Sequence, residues 1–255
     1  MNPQQKPAAK PLLTVVCPQV QGIGFDVFRK WIAKGIEFAK ERANGSWNGR
    51  SLVLLFQEMI VDTRWDTPHE EMVTEVEAVR KILPANVHVF FSAAQLDENG
   101  VPANMGWLVS NEGKKHQPKR TMGRGDERDI DCHYTDSKMK MLWKMRANKL
   151  ENEKTHFLSF ILRSGIEVEC RVCADVRAEP IGFNLEKIAL VAADGLPQTN
   201  IGSIALARKI MIVNDEGKCL DGTFGGGLRY KSMAVEKEKI LVEKTSDFHS
   251  ITILE

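Results

Sequence analysis

Three short runs of aliphatic and β-branched residues constrain this chain most: Leu12-Leu-Thr-Val-Val16, Leu52-Val-Leu-Leu-Phe56 and Val87-His-Val-Phe-Phe91. Each is too short to be a helix buried on all sides and too continuously apolar to be a strand with one wet face. The remaining option is a strand covered on both faces, the kind that lies beside crossover helices. The intervening segments fit. From Phe25 to Arg42, residues Phe28, Trp31, Ile32, Gly35, Ile36 and Ala39 recur at helical spacing after a turn at Gly22 and Gly24. A second helix is predicted from about Pro68 to Leu83, with His69-Glu-Glu71 opening it and Arg80 and Lys81 near its end, as the helix dipole favours. Gly106-Trp-Leu-Val-Ser110 is a fourth strand, turning at Asn111-Glu-Gly113. Strands at Phe157–Leu162 and Glu167–Cys173 flank a turn at Ser164-Gly165, and Ile188–Ala192 and Lys209–Val213 follow. Asn214-Asp-Glu-Gly217 reads as a turn and Gly225-Gly-Gly227 as a flexible one, without phosphate-loop spacing.

This order makes an α/β protein with sheets packed under helices. At 255 residues the chain suits one domain over residues 11–255, preceded by a loose polar tail at residues 1–10. The 35 basic and 34 acidic side chains nearly cancel, which gives no general attraction to nucleic acid or to an anionic membrane. No apolar run approaches a bilayer span and the start lacks a secretory signal, so a cytoplasmic location is expected. The odd set Cys17, Cys132, Cys170, Cys173 and Cys219 fits a reducing compartment. Cys170 and Cys173 form a C-x-x-C, but zinc would need a second such pair. No metal or cofactor is expected.

Glu58, Lys119 and Cys173 stand out, each just past a strand or hairpin, where reactive groups gather in open α/β sheets. Taken singly, each has an ordinary role: a cap, a solvated charge, an inert core thiol. Taken together with their surroundings, they resemble the nitrilase (carbon–nitrogen hydrolase) superfamily. Val15-Val-Cys-Pro-Gln-Val-Gln21 is similar to that family's first strand, and Leu54-Leu-Phe-Gln-Glu58 to its strand ending in Pro-Glu, with Gln57 in place of proline. Asn104 precedes Trp107-Leu-Val and the Asn-Glu-Gly turn, and Gln117-Pro-Lys119 stands where the family has Tyr-Arg-Lys. Val172-Cys-Ala-Asp-Val-Arg177 resembles the nucleophile segment, with Glu179-Pro180 inverting the usual Pro-Glu.

The resemblance implies an α-β-β-α sandwich of two mixed sheets with helices on the outer faces. It also implies hydrolysis of an amide, carbamoyl or related C–N bond of a small molecule. In that reaction Cys173 would be the nucleophile, Glu58 the base and Lys119 the oxyanion stabiliser, joined by the backbone N–H of Ala174. A further family glutamate would be Glu127, Glu151 or Glu153. The stretch after Cys173 is shorter than is usual for the family, which bears on pocket walls and on subunit pairing, here expected as a homodimer. Residues 120–149 mix Arg120, Arg124, Arg128, Lys138, Lys140, Lys144, Arg146 and Lys149 with Met139, Met141, Trp143 and Met145. They suit an active-site lid or, alternatively, a docking site for an acidic partner. Two other readings stand beside the hydrolase. One is a catalytically silent nitrilase-fold module that binds a partner through this basic segment. The other is a Cys–His enzyme using His133, His156 or His249.

Overall fold

Alternation of side chains along the first strands separates two cores in the computed structural model, which describes residues 11–20, 22–43, 51–121, 130–134, 137–152, 157–173, 175, 184–194, 208–215, 227–232 and 234–255. Strands β1 (Pro11–Pro18), β2 (Ser51–Leu55) and β3 (Val87–Leu96) run parallel to one another. They are linked through helices α1 (Phe25–Arg42) and α2 (His69–Ile82). Val16, Leu52, Leu54, Val89 and Phe91 point toward these helices and pack on Phe28, Ile32, Ile36, Met72, Val76 and Val79. Leu13, Val15, Val53, Leu55 and Phe90 point the other way, into a core shared with the second sheet. Gly35 lets α1 lie close: a Cβ there would meet the Leu54 side chain at 2.9 Å.

Strand β4 (Pro102–Ser110) pairs antiparallel with β3, and β5 (Gly113–Pro118) with β4, across the Asn111-Glu112 turn. The chain then enters helix α3 (Ser137–Asn152). The second sheet begins with the hairpin β6 (Leu158–Ile161) and β7 (Glu167–Val172), whose turn carries Gly165 at φ +83°. Parallel pairing adds β8 (Asn184–Ala193) and β9 (Arg208–Asp215), and β10 (Gly227–Ser232) closes that sheet. The chain finally returns to the first sheet as β11 (Ile240–Lys244) and β12 (Phe248–Leu254), with β12 antiparallel to β1. The result is a seven-stranded sheet in the order β11-β12-β1-β2-β3-β4-β5 and a five-stranded sheet in the order β10-β9-β8-β7-β6.

Both sheets are mixed, as expected, but several bounds differ from the sequence reading. Strand β7 ends at Val172, so Cys173 lies just past it rather than within it. Asn214 and Asp215 continue β9 instead of turning; Asn214 is held there by donating Nδ2–H to the Leu55 carbonyl at 2.7 Å, a tie between the two sheets. Gly227 opens a strand, whereas Gly225 and Gly226 lie outside the described residues, as does the tail at residues 1–10. The C-terminal half, short as it is, supplies β8–β12 and so completes both sheets. No helix among the described residues is long and apolar enough to cross a membrane.

Candidate active site

The sheets meet closely where β4 faces β7. Gly106 permits this, since a Cβ on it would meet Val172 Cγ2 at 3.0 Å. Val172 immediately precedes Cys173, and Gly106 lies two residues from Asn104 on the same face of β4, because side chains alternate along a strand. The close approach therefore brings Cys173 beside Asn104 and its neighbours.

Glu58 follows β2 and is 6% exposed; Lys119 follows β5 and is 3% exposed. Lys119 donates from Nζ to Glu58 Oε1 at 2.6 Å, and Asn104 donates from Nδ2 to the same oxygen at 2.7 Å. The Lys119 backbone N–H is tied to the Asn104 carbonyl at 2.7 Å, so one short piece of β4 holds both the carboxylate and the lysine. The Cys173 thiol lies close enough to the Glu58 carboxylate and the Lys119 ammonium for both charges to act on it, and it donates to the Asp194 carbonyl at 3.8 Å. The carboxylate, ammonium and thiol singled out in the sequence thus converge from three distant stretches. Ala174, Glu127 and Glu153 lie outside the described residues, and Glu151 falls within α3.

Backbone strain marks the same place. Cys173 has φ +38° and Met59, next to Glu58, has φ +51°, a region that costs side-chain-bearing residues on the order of 1–3 kcal/mol each. Ser92 secures the second of these by accepting the Met59 N–H at 2.9 Å. Burial pushes the Cys173 thiol well above its usual value; the Glu58 charge adds to this and the Lys119 charge opposes it. Raised in this way, the thiol is neutral at rest.

Asp175, noticed in the sequence only as part of the Cys-Ala-Asp segment, locks the lysine loop. Its Oδ1 accepts the N–H groups of Arg120 and Thr121, both at 2.8 Å, while Arg171 donates to the Asp175 carbonyl at 2.9 Å. Burial lifts the Asp175 carboxyl to about 6, against the pull of those donors and of Lys119 and Arg171. Its folded value therefore exceeds the unfolded one. Its contribution to stability is fully present below about pH 4 and is lost as pH rises through about 6. Asp175→Asn keeps an oxygen for both N–H groups and has no proton to lose. Urea unfolding at pH 4 and pH 7 is expected to show wild type losing on the order of 2–3 kcal/mol relative to this variant over that range. A pH-independent difference would refute the assignment.

The histidines proposed for a Cys–His pair have other partners. His249 accepts the Leu228 N–H at 3.4 Å and His133 lies 3.8 Å from Asp66; His156 lies outside the described residues. Cys170 points into the core between the sheets, where burial raises its thiol, and it is free of any disulfide, as is Cys173.

Among the described residues, His69, Glu98 and His116 bring potential metal-ligand atoms within 4.8 Å of one another. The support behind His69 opposes a metal there. Gln95 takes the Trp107 N–H on Oε1 and donates Nε2–H to the Leu96 carbonyl, so the same Nε2 donates to His69 Nδ1. The His69 proton then sits on Nε2, the nitrogen facing Glu98, where a metal would need a lone pair.

Among solved structures, the chain is similar to an amidase from Nesterenkonia sp. AN1 in complex with butyramide, at 11% identity and a TM-score of 0.58 over 98% of this chain and 94% of that one. It is also similar to Saccharomyces cerevisiae Nit3, a member of branch 10 of the nitrilase superfamily, at 9% identity and a TM-score of 0.58 over 98% of this chain and 92% of that one. The chain has a nitrilase fold. No protein-family model matches the sequence and no curated protein matches it, so the likeness to the nitrilase superfamily is carried by the arrangement of the two sheets. Within that nitrilase fold, Glu58, Lys119 and Cys173 lie at the ends of β2, β5 and β7, between the sheets.

Proposed function

We propose that this chain is a cysteine-dependent hydrolase of non-peptide C–N bonds, acting on a small amide or carbamoyl compound. One observation carries the reading: a buried carboxylate bonded at 2.6 Å to a lysine ammonium, with a cysteine on strained backbone close enough for both charges to act on its thiol. As the Cys173 sulfur attacks the carbonyl carbon, its proton passes to Glu58. The carbonyl oxygen becomes an oxyanion, which Lys119 and the Ala174 N–H stabilise, each such donor contributing about 3–4 kcal/mol to the transition state. Collapse expels the nitrogen, protonated by Glu58, and leaves an acyl thioester on Cys173. Water then attacks the thioester, giving a proton to Glu58, and the acid departs as the thiol is restored.

Two solved neighbours support an amide substrate. One is the amidase complexed with butyramide. The other is a mutant of that amidase showing covalent addition of the acetamide moiety of fluoroacetamide at its active-site cysteine. The test is ammonia release from a panel of short amides and carbamoyl compounds, with hydroxylamine added to trap the thioester. Ammonia in step with acid, or with hydroxamate when the trap is present, is expected. Release no faster than in buffer across the panel would remove the hydrolase reading.

A further inference from the structure

Strand β7 buries charge that the steps above do not use. Val168, Cys170 and Val172 belong to the core between the sheets, and the alternation of a strand sends Glu169 and Arg171 to its other face. Both are buried, as is Arg208, which opens β9 on the far side of β8. Arg171 donates Nε–H to Glu169 Oε1 at 2.5 Å, and Arg208 donates from Nη2 to Glu169 Oε2 at 3.1 Å. Buried ion pairs of this kind add little to stability over a well-packed apolar core. Their use here lies in what they hold.

A guanidinium is flat and rigid, and three contacts fix the one on Arg171. Glu169 holds its Nε, the Phe157 ring lies 3.8 Å from its Cζ, and its Nη1 donates to the Asp175 carbonyl at 2.9 Å. Arg171 stands two residues before Cys173 and Asp175 two after, so the last of these bonds closes a loop around the cysteine and braces its turn at φ +38°. Asp175 Oδ1 in turn accepts the N–H groups of Arg120 and Thr121, the two residues that follow Lys119. The Arg120 guanidinium also lies over the Phe157 ring, at 5.2 Å. Two routes therefore run from Arg171 to the lysine loop, one through Asp175 and one through Phe157, and the first passes the cysteine on its way.

We infer that Arg171 is a positioning residue: it fixes the separation of the Cys173 thiol from the Lys119 ammonium, acting through Asp175, while Glu169 and Phe157 hold its guanidinium in place. This rests on the hydrolase reading, in which thiol and ammonium must meet one carbonyl group from two sides.

Arg171→Lys keeps a cation beside Glu169 but loses the flat fork, which a lysine does not replace. On the amide that wild type hydrolyses best, kcat is expected to fall about 10–100-fold with KM held within about twofold, because the displaced lysine acts on the transition state. A second readout needs no turnover: the pH profile of Cys173 alkylation by iodoacetamide, followed by mass spectrometry of the cysteine peptide. The Lys119 charge opposes the rise of the thiol, so the profile is expected to move to higher pH, toward that of Lys119→Met. A wild-type kcat, or a profile that stays at the wild-type pH, would overturn the assignment and leave Arg171 a structural residue however far Tm falls. If wild type hydrolyses no amide, the hydrolase reading falls and the profile alone decides. Should Arg171→Lys not unfold cooperatively, Phe157→Leu, which removes the ring and no charge, is read by the same profile. A smaller shift in the same direction is then expected, and no shift overturns the assignment.

Discussion

Cys173→Ala is expected to reduce amide turnover by a factor on the order of 10⁵–10⁶, the scale on which loss of a nucleophile acts when its partners function as one unit. The fold should survive. The thiol is a small group just past the end of β7, and removing one sulfur is expected to change stability by about 1 kcal/mol or less. Alanine has the same difficulty as cysteine at φ +38°, so the strain is unchanged. Unfolding curves should therefore nearly overlap while ammonia release falls to background. Turnover within about tenfold of wild type in a correctly folded Cys173→Ala protein would place the chemistry elsewhere.

Lys119→Met is expected to damage both stability and rate. The Lys119 side chain is 3% exposed and the side chain of its partner Glu58 is 5% exposed. Breaking a buried pair from one side leaves an uncompensated charge, at a cost of about 3–5 kcal/mol. The sign with pH follows from which charge is left. Without the ammonium, burial raises the Glu58 carboxyl, so stability is kept while that group is protonated and is lost as pH rises. Urea midpoints at pH 5 and pH 8 should show the larger deficit at pH 8. Glu58→Gln combined with Lys119→Met removes both charges and is expected to be more stable at pH 8 than Lys119→Met alone, a non-additivity that reports direct coupling. Turnover in Lys119→Met is expected to fall about 10²–10³-fold, the loss of one oxyanion donor. A deficit of the same size at both pH values, with no recovery in the double variant, would show that the pair is not coupled as its 2.6 Å contact requires.

Strands and helices whose pattern is local were legible in the sequence. Helix α1 spans Phe25–Arg42 as its periodicity predicts, because amphipathicity at 3.6 residues per turn needs no distant partner to be seen. The central strands were recognised by their apolar runs, but β3 runs on through Ser-Ala-Ala-Gln-Leu96 and β4 begins back at Pro102, where small and polar residues give no such run. Strands β10, β11 and β12 escaped for a related reason. Arg229, Lys231, Glu243 and His249 interrupt them, and they are strands because β9, β12 and β1 offer edges to pair with. Helix α3 lay hidden in a basic segment read as a lid or docking surface. Its Trp143 faces the interior while Met141 and Met145 remain exposed.

The sequence by itself determined which groups could react, since the residue types at the ends of β2, β5 and β7 are covalent facts. Whether they meet was decided only by the tertiary structure. The glycine at position 106 lets the two sheets close on one another, Asn104 turns Glu58 and Lys119 into a pair, and Asp175 pins the lysine loop. These are contacts between stretches far apart in the chain, and their geometry is set by how two sheets pack, a property that no window of sequence contains.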